Sequence, residues 1–103
     1  MIFIDDGAVK ALLNGKSLLP AGITKVVGIF KKGDNVLITD KNNTEIARGL
    51  SSFSSQEIEK IKGLQSNQIE NILGYVSKSE IIHKDDMVII KWNILIKLEK
   101  IQK

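Results

Sequence analysis

The tightest constraint on the fold lies between residues 23 and 50. Ile23 to Phe30, Val36-Leu37-Ile38-Thr39 and Thr44 to Leu50 are rich in β-branched and aliphatic residues. Only Lys31-Lys32-Gly33-Asp34-Asn35 and Asp40-Lys41-Asn42-Asn43 separate them, and both stretches have turn chemistry. Neither is long enough for the helical crossover that joins parallel neighbours. The spacing predicts three strands in an antiparallel meander, and a mainly β domain with short helices around it.

The flanking segments supply the helices. Ile2-Phe3-Ile4 reads as a strand; Ala8, Val9, Leu12 and Leu13 then fall at helical spacing before Asn14-Gly15. Asp6 is the expected cap of the first turn and Gly15 the expected left-handed terminator. Lys16-Ser17-Leu18-Leu19-Pro20-Ala21-Gly22 has neither period and reads as a loop, unusually apolar for a surface connection; Leu18 and Leu19 are expected to plug one end of the barrel. Ser54-Ser55-Gln56-Glu57 fits a capping box ahead of Ile58, Ile61 and Leu64, with Gly63 near that helix's end. Asn67 with Glu70 is expected to repeat the cap ahead of Ile69, Ile72 and Leu73, up to Gly74. Glu80-Ile81-Ile82-His83 and Met87-Val88-Ile89-Ile90 read as strands around the turn Lys84-Asp85-Asp86.

Length permits one domain, assigned here to residues 1–90, with 91–103 as a basic C-terminal extension. Residues 1–90 hold equal numbers of basic and acidic side chains, so the net charge of +3 resides in Lys91, Lys97, Lys100 and Lys103, opposed by Glu99. The extension's period fits a strand or a helix face equally, and it is expected to form a helix or extension that packs on the barrel or on a partner. Arg48 is the single arginine among 15 basic residues, which argues against sequence-specific reading of DNA by bidentate contacts. Aromatics make up 5%, too few for a platform of stacking rings. Any RNA contact would be polar and electrostatic. The absence of cysteine excludes a disulfide scaffold, a zinc ribbon and a thiol nucleophile. The N-terminus lacks signal-peptide character and no apolar run reaches membrane-spanning length, so a cytoplasmic location without membrane contact is expected.

No catalytic residue, metal site or cofactor is assigned. Asp5-Asp6 could ligate a hard cation, yet a helix cap with an exposed neighbour accounts for the pair. His83 with Asp85 and Asp86 could do acid/base work, but no second histidine exists to complete a metal set. The glycines form no phosphate-cradling loop and the serines sit in no nucleophile elbow. Lys31-Lys32 and Lys41 read as solvated hairpin tips.

Taken in order, Asp5-Asp6-Gly7-Ala8-Val9, Gly15-Lys16-Ser17-Leu18-Leu19-Pro20-Ala21-Gly22-Ile23, Gly33-Asp34 and Glu45-Ile46-Ala47-Arg48-Gly49-Leu50 resemble the C-terminal PUA domain of the bacterial glutamate 5-kinase family. Ser54-Ser55-Gln56-Glu57, Ile69-Glu70-Asn71-Ile72-Leu73-Gly74-Tyr75 and Ile82-His83-Lys84-Asp85-Asp86-Met87-Val88 extend the match over about residues 2–90. The resemblance implies a PUA-like mixed β pseudo-barrel and a place in proline biosynthesis. In that family an amino-acid-kinase domain, preceding the PUA domain, phosphorylates glutamate with ATP and magnesium under proline inhibition. None of the residues quoted belongs to that domain, so none inherits a catalytic role. Other PUA domains bind RNA through the loop after the first helix and a late strand. Carried onto this sequence, the RNA-binding candidates are Lys16, Ser17, Ala21, Gly22, His83 and Lys84.

Two functions follow as expectations. The first is a regulatory or assembly module acting through the amino-acid-kinase domain or through self-association, with Trp92 and Ile94 as candidate partner contacts. The second is an RNA-binding module for structured, tRNA-like RNA. An independent enzyme has no supporting constellation.

Overall fold

The computed structural model describes residues 1–75 and 78–90. Strand β1 (Ile2–Ile4) leads into helix α1 (Asp6–Leu13), and β2 (Ile23–Val26), β3 (Asn35–Thr39) and β4 (Glu45–Leu50) follow. Helices α2 (Ser55–Ile61) and α3 (Ile69–Leu73) then precede a short strand, β5 (Met87–Ile89). Short 3-10 turns occupy Pro20–Gly22, Ser66–Gln68 and Lys84–Asp86.

Among the described residues the five strands form one mixed sheet in the order β2-β1-β3-β4-β5, in which β1 and β3 run parallel and every other pair is antiparallel. This corrects the expected meander: β2 and β3 do not touch, because β1 lies between them. Ile2 and Ile4 are fully buried, and the central position pairs both edges of their strand. Residues 27–34 step across β1, a distance of roughly two strand spacings or about 10 Å. Phe30 anchors this connection, its N–H donating to Ser55 Oγ at 3.1 Å and its carbonyl accepting from the Ser55 N–H at 3.0 Å. The β3–β4 hairpin is as expected. Its turn is organised by the buried Asp40 carboxylate, which accepts from the N–H groups of Asn42 and Thr44, each at 2.9 Å.

The sheet is not closed among the described residues, where β2 and β5 are its edges. Its inner face packs Ile2, Ile38 and Ile46 against Leu12, Phe53, Ile58 and Ile61 in one apolar cluster. Each such side chain contributes about 1.5–3 kcal/mol on burial.

Two expected boundaries shift for identifiable reasons. The cap of α1 is Asp5, not Asp6: helical geometry begins at Asp6, so the extended Asp5 presents its carboxylate to the Ala8 N–H at 2.8 Å. The turn before α3 starts at Gln65, whose N–H donates to Gln68 Oε1 at 3.3 Å; α3 continues directly from it, so Asn67 opens no new helix. Gly15, Gly63 and Gly74 end their elements with positive φ as expected.

The capping box at α2 is complete, with the Glu57 N–H donating to Ser54 Oγ at 3.2 Å and the Ser54 N–H donating to Glu57 Oε1 at 2.9 Å. The Tyr75 hydroxyl also donates to Glu57. Partial burial pushes the Glu57 carboxyl up, but the hydrogen bonds from Ser54 and Tyr75 outweigh it and leave the group below its ordinary value. A carboxylate lowered by folding stabilises above its unfolded pKa and loses that contribution as pH falls through the folded value. Glu57→Gln is therefore expected to flatten the decline of melting temperature between pH 6 and pH 3, measured by circular dichroism. An unchanged slope would show that the cap does not depend on ionisation.

Candidate nucleic-acid interface

Four of the sequence-selected residues lie on the α1–β2 connection. Gly15 turns the chain out of α1 with φ 77°, and Lys16 and Ser17 follow on the surface. Leu18 is buried whereas Leu19 is 45% exposed, so only Leu18 acts as the expected plug. The carbonyl of Gly22 accepts from the Asp5 N–H at 3.0 Å, closing the loop back onto the start of α1. The approach at this point admits only glycine: a Cβ on Gly22 would lie 2.5 Å from Ala8 Cβ. The result is a cleft of about 300 Å³ between the loop and α1, with Lys16, Ser17, Ala21 and Gly22 facing Gly7, Ala8 and Ala11.

The remaining two candidates come from the segment before β5, and the structure brings them to the same place. Glu80 to His83 does not form the expected strand. Ile81 and Ile82 are both fully buried, which breaks strand alternation, and the pair is pinned between two loops. Ile81 N–H donates to the Leu18 carbonyl at 2.8 Å, Leu18 N–H donates to the Ile82 carbonyl at 2.9 Å, and Ser52 N–H donates to the Ile81 carbonyl at 2.8 Å. One residue pair further on, the Lys84 N–H donates to Ser17 Oγ at 2.8 Å. His83 caps the 3-10 turn, its Nδ1 accepting from the Asp85 N–H at 3.1 Å. Lys16, Lys84 and Asp85 thereby line a second groove, floored by Leu12, Met87 and Ile89.

Two exposed lysines thus flank small residues and loop backbone, an arrangement suited to phosphate and sugar contact. Sequence reasoning missed Asp85 as a wall of this groove and Ser17 as the tie that holds Lys84. A serine following a helix-ending glycine carries no signal of a partner 67 positions away. The other candidate charges have local uses. Asp6 pairs with Lys41 at 2.9 Å with both side chains exposed, and this carboxylate holds the Lys41 ammonium above its ordinary value. Asp34 Oδ2 accepts from the Lys31 N–H at 2.8 Å within its turn. No group of three or more potential metal ligands occurs among the described residues, and none of their helices is long and apolar enough to cross a membrane. Trp92 and Ile94 lie outside the described residues.

Comparison with known proteins bears on family and fold. The PUA domain family matches residues 1–73. A glutamate 5-kinase of Pelagibacter ubique (strain HTCC1062) is 68% identical over 87 residues, 84% of this chain and 24% of that protein. A glutamate 5-kinase of Thermoanaerobacter sp. (strain X514) is 50% identical over 91 residues, 87% of this chain and 24% of that protein. The chain spans about a quarter of the length of these curated relatives. Among solved structures, a PUA domain from Aeropyrum pernix K1 superposes with a TM-score of 0.58 at 22% identity, covering 80% of this chain and 40% of the other, a likeness of fold. A hypothetical protein from Pyrococcus horikoshii OT3 gives 0.55 at 27% identity, covering 90% and 48%.

Proposed function

This chain belongs to the PUA-domain family, and we propose that it serves as the non-catalytic PUA module of a cytoplasmic glutamate 5-kinase system in proline biosynthesis. Its role there is regulation or assembly, exerted through the amino-acid-kinase domain or through self-association. The 68% identity with a glutamate 5-kinase over 84% of the chain is the observation that carries this reading. Ile29, 94% exposed, and Val88, 71% exposed, are apolar side chains available for such contact. Trp92 and Ile94 are proposed as further contacts. The chain itself has no enzymatic activity in this reading.

Adding the chain to a glutamate 5-kinase that lacks its own PUA domain tests the proposal. The expected outcome is a change in oligomeric state by light scattering, or a change in the proline concentration for half-inhibition. A monomeric chain that alters neither overturns it.

A second reading, an RNA-binding module for tRNA-like RNA, is favoured by the hydrogen bond from the Lys84 N–H to Ser17 Oγ. That bond places Lys84 beside Lys16 on one groove, and His83 caps the turn carrying Lys84. Titration of labelled transfer RNA at low and physiological salt tests it: saturable, salt-sensitive binding supports the assignment, and no binding at low salt removes it.

A further inference from the structure

The turn that carries Lys84 is held by two hydrogen bonds of different kinds. Ser17 Oγ accepts from the Lys84 N–H, which a hydroxyl does at any physiological pH. The Asp85 N–H is instead taken by His83 Nδ1, and a ring nitrogen accepts only while it carries no proton. Protonation at Nδ1 would set one donor against another. A substitute acceptor is close by, because Asp85 Oδ2 lies 3.5 Å from the same nitrogen on a side chain that is 78% exposed and able to swing.

The structure shows the amide-capped imidazole with the Asp85 carboxylate already within reach of the same nitrogen; protonation would exchange the amide for the carboxylate. The two arrangements would present different charge along the groove. With His83 neutral, the Asp85 carboxylate offsets one of the two lysines lining that wall, Lys16 and Lys84. With His83 protonated, the imidazolium engages Asp85 and both lysines stand unopposed.

The charged groups around the turn are Lys84, Asp85 and Asp86 on it, Glu80 before it and Lys16 from the loop after α1; Arg48 on the adjoining β4 pairs with Val88 of β5. Histidine is the side-chain type that ordinarily changes charge between pH 8 and 5.5, and His83 is the only histidine in the chain.

We propose that His83 is a proton-operated positioning residue, whose protonation pairs the Asp85 carboxylate beside it and so strengthens the grip of Lys16 and Lys84 on RNA phosphates. The proposal rests on the RNA-binding reading above. By linkage, bound RNA favours the protonated imidazole to the same extent.

The test has two arms. In the first, the free chain is titrated from pH 8 to 5.5 by nitrogen-15 NMR. The Asp85 amide signal is expected to shift with the same midpoint as His83 Nδ1, and to stay still in His83→Asn, whose amide oxygen supplies a non-titrating cap. In the second, transfer RNA affinity is measured over that range at constant ionic strength. Wild type is expected to tighten by about two- to fivefold, the scale of one exposed charge pair. His83→Asn stays flat, and Asp85→Asn binds tightly throughout. The Met1 amino group, lowered by partial burial, is common to all variants and cancels.

An Asp85 amide that ignores His83, or equal pH dependence in wild type and His83→Asn, overturns the proposal whatever the RNA does. A responsive amide with no RNA binding at any pH overturns the RNA reading, and with it the role assigned to His83.

Discussion

Gly49→Ala is expected to lower stability by about 2–4 kcal/mol, near the upper end for overpacking a closed interior, and to reduce the melting temperature by roughly 10–20 °C. Gly49 sits on β4 opposite Met87, where β5 joins the sheet. A Cβ there would lie 2.7 Å from Ile82 Cγ2, 2.8 Å from the Asp86 carbonyl oxygen and 3.3 Å from Met87 Cα. The first contact can yield by rotation of a side chain; the other two are backbone and yield only if β5 moves away. That displacement would also pull on Ile82, which holds Leu18, and on the turn that holds Ser17. The loss should therefore appear twice, as a lower melting temperature and as faster amide exchange at Leu18 and Lys84. Gly7→Ala is the control. Its Cβ would meet only Asp5 Oδ1 at 3.4 Å, and alanine within α1 is the better helix former, so stability should hold or rise. A Gly49→Ala protein melting within about 2 °C of wild type would mean that β5 is not seated against β4 as described.

Local chemistry and global pairing were not equally legible in the amino-acid sequence. The capping box at Ser54 and Glu57, the Asp40 turn and the glycines at 15, 63 and 74 were readable because each is complete within a few residues. The Asp5 cap was one position off because two adjacent aspartates offer the same carboxylate and only the first helical residue decides between them. Strand neighbours were a different matter. The meander over residues 23–50 treats sequence adjacency as spatial adjacency, yet β1, with Ile2 and Ile4 fully buried, takes the place between β2 and β3. Nothing local to residues 27–34 marks them as a crossing, although Phe30 buried beneath Ser55 is what fixes their path.

The same distinction applies to the groove. The loop Lys16–Gly22 stood out because it is apolar and contains the chain's only proline. As an RNA contact, its partner segment stood out only through the family resemblance, since Ile81-Ile82-His83 imitates a strand. What joins them is a backbone bridge between Leu18 and Ile82 and one serine hydroxyl. These are contacts of high sequence separation, and no pattern of residue types announces them.

The double variant Lys16→Glu, Lys84→Glu is expected to weaken transfer RNA binding by at least about tenfold at low salt and to reduce the salt slope by about 1.4–1.8, the loss of two phosphate contacts. Both side chains are exposed on the rim of one groove, so the reversal should leave folding intact, which a melting curve checks directly. Ser17→Ala separates charge from placement. It leaves both ammonium groups in the protein and removes only the acceptor that holds the Lys84 N–H, so affinity should fall by a smaller factor while the salt slope stays near that of wild type. A general attraction between RNA and a basic protein predicts the opposite, with both variants following net charge alone and Ser17→Ala indistinguishable from wild type. If the double reversal changes neither affinity nor slope, Lys16 and Lys84 are not where RNA phosphates bind, and the proposal of a glutamate 5-kinase module is the one left to test.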